Sequence, residues 1–225
     1  MVKAVLLYGS KARRDHDRLS DTDLLGICSY GEIEKPFDQN GVSFHIYPQD
    51  WLNEQAASGS LFLLHIVTEA VAIFDPTDAL SDLKSRFSYR ASYHQDNEIG
   101  SRVVAAVIGL DEPEFSPIMR KRYFWGLRTI LMADAAERRL PIFSADALER
   151  ASGVSGLAPH IKARADASFS ECQHFGGLIL ERVGNFVAQS NEEKEKNLRF
   201  LFDFGGVGTA TAAEIIYSFR PGLIT

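Results

Sequence analysis

Two carboxylates two residues apart, Asp21 and Asp23, stand in the run Ser20-Asp21-Thr22-Asp23-Leu24-Leu25-Gly26-Ile27. On an extended strand residues i and i+2 face the same side, so both acids would point one way. Adjacent carboxylates repel unless a cation lies between them. An oxygen-only pair suits Mg²⁺, with Mn²⁺ as the alternative, because such an ion keeps several waters and is shared with substrate phosphates. Upstream, Gly9-Ser10 supplies the complement. Glycine lets backbone approach a phosphate, and serine donates from its hydroxyl and its N–H. The chemistry these residue types suggest is metal-assisted work on a phosphate ester.

The elements that must position them read as follows. Val5-Leu6-Leu7-Tyr8 is an apolar run that suits a buried strand, and Gly9-Ser10 breaks it. A short turn or helix follows through Lys11-Ala12-Arg13-Arg14, and Ser20 to Ile27 reads as a second strand. Gly41 to Tyr47 alternates, which predicts a strand with Val42, Phe44 and Ile46 in the core. Ser43, His45 and Tyr47 would then share the side of Asp21 and Asp23. A helix over 50–58, an apolar helical stretch over 61–66 and a strand over 69–75 ended by Pro76 complete a small α/β unit of about four strands. From Asp78 onward the pattern is helical, with segments over 80–87, 97–110, 117–139, 145–150, 168–189, 191–202 and 209–219. Ser116-Pro117 marks the start of the longest.

Gly9-Ser10, Ala12-Arg13, Ser20-Asp21 and Asp23-Leu24-Leu25, in this order and with a strand on each side, resemble a known signature. It belongs to the nucleotidyltransferase superfamily that includes DNA polymerase beta, kanamycin nucleotidyltransferase and the minimal nucleotidyltransferases. Thr22 departs from it, standing where an apolar residue is usual. The resemblance implies an α+β fold, a small mixed-sheet catalytic domain followed by an all-helical domain that contributes to nucleotide and acceptor binding, and the change of pattern around Ser88 to Asp96 divides the chain into 1–90 and 91–225. It implies ATP as the substrate, Asp21 and Asp23 as the Mg²⁺ ligands, and Gly9, Ser10 and Arg13 around the terminal phosphates. The family also places a third carboxylate on the third strand. Gly41 to Tyr47 holds no Asp or Glu, so His45 stands in that place as base or ligand, with Glu69 or an acid of the helical domain as the other candidates.

Within 117–139, Lys121, Trp125, Arg128 and Met132 follow the i, i+4, i+7, i+11 spacing of one helix face, beside the apolar Phe124, Leu127 and Leu131. Ammonium and guanidinium groups neutralise phosphates and an indole can stack, so this stripe is a candidate nucleotide contact. Its bland reading is a solvated face with Trp125 lying on the charged stems. His65, inside an apolar run, reads as a satisfied structural histidine.

Composition bounds the function. The chain has 225 residues and a net charge of −6, which argues against general coating of nucleic acid. It has no long apolar run and no signal-peptide pattern, and its two cysteines, Cys28 and Cys172, lack metal-like spacing. A cytoplasmic enzyme without a membrane partner is expected, with oligomerisation left open. The expected activity is transfer of a nucleoside monophosphate, AMP from ATP, to a small-molecule or protein acceptor. A catalytically impaired nucleotide-binding regulator, or a member of a toxin–antitoxin or defence pair, is the alternative.

Overall fold

The computed structural model describes residues 2–16, 20–31, 37–110, 115–187 and 190–219. The fold is α+β. The chain divides into two compact units, one of Met1–Ala91 with Arg139–Ser144, the other of Ser92–Arg138 with Ala145–Thr225. The return of 139–144 to the first unit is not foreseen in a reading that makes everything after residue 90 helical. Phe143, buried in that short segment, stacks on His65, which packs the ring while its buried Nε2 makes no hydrogen bond among the described residues.

The first unit opens with β1 (Val2–Tyr8), the short α1 (Gly9–Arg13), β2 (Thr22–Cys28), β3 (Phe37–Gln39) and β4 (Val42–Pro48). Then come α2 (Gln49–Ala57), α3 (Leu61–Glu69), β5 (Val71–Phe74) and α4 (Ala79–Arg86). The sheet has five strands in the order β3-β4-β2-β1-β5, with β2 and β4 parallel and the other pairs antiparallel. The fifth strand, β3, comes from a stretch that reads as hairpin loop.

Register decides which face is core. Leu24 pairs with Phe44, Leu25 with His45 and Ile27 with Tyr47, and paired residues point to the same side. One face therefore carries Tyr8, Asp23, Leu25, Ile27, Ser43, His45 and Tyr47. On this face Ala4, Leu6, Leu25 and Ile27 pack with Leu52 and Ala56 of α2 and Leu63 and Ile66 of α3, all fully buried. The expectation that Val42, Phe44 and Ile46 form the core is thus corrected. They are half-buried on the opposite face, where the Phe44 ring lies over Gly26 and leaves no room for a side chain there. Alternation on a strand tells two faces apart but not which one the helices cover. The last strand is also shorter than expected: Glu69 ends α3, and Val71, Ile73 and Phe74 are exposed on the edge strand.

In the second unit α5 (His94–Ile108) and α6 (Pro117–Glu137) pack face to face. Gly100 and Gly126 make the approach close, since a Cβ on either would come within 2.9 Å of the other's carbonyl oxygen. Ser116 caps α6, its side chain accepting from the N–H of Met119 at 3.2 Å. α7 (Ala145–Ser152), α8 (Leu157–Lys162), α9 (Phe169–Val183), α10 (Asn191–Phe204) and α11 (Gly206–Phe219) follow. α8 is not anticipated, and α9 stops at Val183 rather than running toward residue 189. No helix of the described residues is long and apolar enough to cross a membrane.

Candidate functional site

At the end of β1 the chain turns sharply. Tyr8 pairs with Asp23 across the antiparallel β1–β2 ladder, so the residue after Tyr8 lies beside the Asp23 side chain. That residue is Gly9, with φ +74°, and a Cβ built on it would overlap the Asp23 Oδ2. Gly9 is therefore required twice, for its left-handed backbone and for the room it leaves the carboxylate. Asp23 is half-buried. Asp21, just before β2, is exposed and shares its parity. Ser10, the next residue of the turn, is partly exposed.

Across β2 on the other side, Asp23 pairs with Ser43. Ser43 Oγ is 3.1 Å from His45 Nε2. His45 is thus on the Asp23 face, one position further along, with its Nε2 engaged by a serine hydroxyl. Its ring begins a row of aromatics: Tyr47 lies parallel to it at 6.2 Å, and Trp51 stacks on Tyr47 at 4.6 Å. Burial pushes the Tyr47 phenol up from its ordinary value. Among the described residues no three His, Cys, Asp or Glu side chains converge as a metal cage. Asp21 and Asp23 are the carboxylates that would hold a cation here, an oxygen-only pair. That fits Mg²⁺ better than an ion needing a full protein cage.

The cations of α1 differ sharply in their surroundings. Arg13 donates from Nε to both oxygens of Asp15, at 3.1 and 3.0 Å, and from NH1 to Glu69 Oε2 at 2.6 Å. The Glu69 side chain is only 6% exposed and also has His65 Nε2 at 2.5 Å. The His65 ring in turn stacks on Phe143 and stands edge-on to Tyr8. Glu69, a candidate for the third acid, is instead the buried counter-ion of Arg13, on a helix and not on a strand. Its i, i+4 spacing from His65 in an apolar helix is the signal that sequence reading could have used. Lys11, which sequence reading did not single out, donates from Nζ to Thr22 Oγ1 at 2.5 Å.

On α6, Phe124, Leu127 and Leu131 are buried while Lys121 and Trp125 are exposed, Trp125 by 38%. Arg128 and Met132 are half-buried. The stripe runs from the exposed Lys121 and Trp125 to the half-buried Arg128 and Met132, and the buried Thr129 beside it returns its hydroxyl to the Trp125 carbonyl at 2.8 Å.

No protein-family model and no curated protein matches the chain. Among solved structures it is similar to a nucleotidyltransferase-like protein from Exiguobacterium sibiricum, at 14% identity over 96% of this chain and 74% of that one, with a TM-score of 0.32. At that TM-score the two chain paths diverge too far for the likeness to bear on function.

Proposed function

We propose that the protein is a metal-dependent nucleotidyltransferase that moves AMP from ATP to an acceptor hydroxyl or phosphate. The observation that carries this reading is that Gly9 leaves no room for a Cβ beside the Asp23 carboxylate, which sets the Gly9-Ser10 turn against one of a pair of carboxylates. Asp21 and Asp23 would hold the cation. When bound, a divalent ion there supplies charge neutralisation along the triphosphate and polarises the phosphorus under attack. Ser10 would donate its hydroxyl to a terminal phosphate oxygen. His45, as a neutral ring, would accept the proton of an attacking hydroxyl. The acceptor oxygen bonds to the α-phosphorus, the bond from that phosphorus to the bridging oxygen breaks, and pyrophosphate leaves.

The second reading, a nucleotide-binding regulator without transfer, is favoured by one observation: the described residues hold no third acid beside the pair. Transfer of label from α-³²P ATP, measured beside calorimetric binding of Mg·ATP, separates the two. Asp21→Asn and Asp23→Asn should each remove Mg²⁺-dependent binding and leave the fold intact. His45→Ala should lower transfer far more than affinity. Binding without transfer in the wild type supports the regulator. Nucleotide binding indifferent to both Asp variants would remove the reading altogether.

A further inference from the structure

We infer that Lys11, and not Arg13, supplies the positive charge that meets the triphosphate; the inference rests on the nucleotidyltransferase reading above. The two residues lie on the same short helix, directly after the Gly9-Ser10 turn, and their partners divide their roles. Arg13 faces two carboxylates, Asp15 and Glu69, so the charge of its guanidinium is more than offset where it stands. Turning it toward a phosphate would leave Glu69 buried with only His65 beside it. A buried carboxylate stripped of its charged partner is among the costliest changes a fold can undergo. Arg13 thus anchors α1 to α3, and with it the turn that precedes it.

Lys11 has the opposite surroundings. Its partner is a neutral hydroxyl, and among the described residues no carboxylate lies within ion-pair distance of it. That hydroxyl belongs to Thr22, the first residue of β2, whose side chain lies on the opposite side of the strand from Asp21 and Asp23, so the ammonium rests at the start of β2, across the strand from the acid pair. An ammonium has three donors, of which one is used here. A lysine on a flexible four-carbon stem can swing from a hydroxyl to a phosphate oxygen and give up only one neutral hydrogen bond. Thr22 therefore holds the ammonium at the start of β2, one stem's length from the Gly9-Ser10 turn, which gives a purpose to the residue that departs from the family pattern.

The test is calorimetric titration of the full chain with Mg·ATP and with Mg·tripolyphosphate, beside thermal unfolding. Lys11→Met should weaken both probes by about 10- to 150-fold, the value of a charge-assisted hydrogen bond, without lowering Tm. Arg13→Met alone should lower Tm. The pair Arg13→Met with Glu69→Gln removes the charge from both sides, leaves His65 a polar neighbour, and should recover Tm while binding both probes within about three-fold of wild type. If that stable pair loses binding while Lys11→Met keeps it, Arg13 is the phosphate ligand and the assignment is overturned. Binding that Asp23→Asn abolishes and Lys11→Met leaves unchanged sinks the Lys11 role alone. A wild type that binds neither probe removes the nucleotidyltransferase reading and this role together.

Discussion

Two histidines, one in each unit, sit in nearly the same ring environment and do different things. His65 stacks on Phe143 at 4.5 Å and 21°, and stands edge-on to Tyr8. His160 stacks on Phe175 at 4.4 Å and 22°, and is T-shaped to Tyr123. The difference is the partner of Nε2. For His65 it is Glu69 Oε2 at 2.5 Å, a close ion-pair approach without hydrogen-bond geometry, and Glu69 is itself gripped by Arg13. For His160 it is the hydroxyl of Tyr123 at 3.1 Å, in the middle of the helical unit. Burial holds the His160 ring down at about 4, opposed by Glu171 and aided by His174, and burial pushes the Tyr123 phenol far up. Matching aromatic walls therefore do not decide what a histidine does. A charged partner ties one into an ionic lock behind the candidate site, and a neutral partner leaves the other as a polar pin in a core.

The largest way to break the contrast is Arg13→Met. It should cost about 3 kcal/mol in urea denaturation, the low end for opening a buried pair, because His65 still touches Glu69. Adding Glu69→Gln should recover most of that loss. Full additivity of the two changes would mean that no lock exists.

The neutral pin should respond to pH instead. The ring's folded value, about 4, lies below its ordinary 6.5, so the unfolded chain takes up a proton first as pH falls. The contribution of His160 is complete above about pH 6.5, is lost progressively down to about pH 4, and is level below that. The loss should be on the order of 2–3 kcal/mol. His160→Phe should flatten the slope in that window. An unchanged slope would place the proton uptake elsewhere.

A smaller effect sharpens the comparison at His65. His65→Phe keeps the stack and leaves Glu69 to Arg13, so the change in stability should be about 1 kcal/mol, well below that of Arg13→Met. The smallest effect belongs to the exposed face of α6. Lys121→Ala should shift stability by less than about 0.5 kcal/mol, and a tenfold loss of Mg·ATP affinity in the same variant would turn that solvated stripe into a ligand contact.

Some of this was legible along the chain. Runs such as Val5-Leu6-Leu7-Tyr8 and the cap Ser116-Pro117 locate elements because they act through neighbours in sequence, by side-chain alternation and local hydrogen bonding. The α+β character follows from the change of period near Asp78. The ends of elements were less legible: Glu69 reads as strand beside Val71 but belongs to the helix, because Leu63 and Ile66 bury that stretch under the sheet.

By itself the sequence determined that a glycine-serine turn and two carboxylates would lie at the ends of neighbouring apolar strands, since spacing and alternation are local properties. Only the tertiary structure decided that the helices cover the Asp23 face rather than that of Phe44, which no alternation can reveal. Only it joined Arg13 to Glu69 across 56 positions, and Lys11 to Thr22 across 11. A cation's role depends on the charges that surround it in space, and a one-dimensional pattern records the cation without its neighbours. That is why Arg13 and Lys11 look interchangeable in the chain and are opposites in the fold.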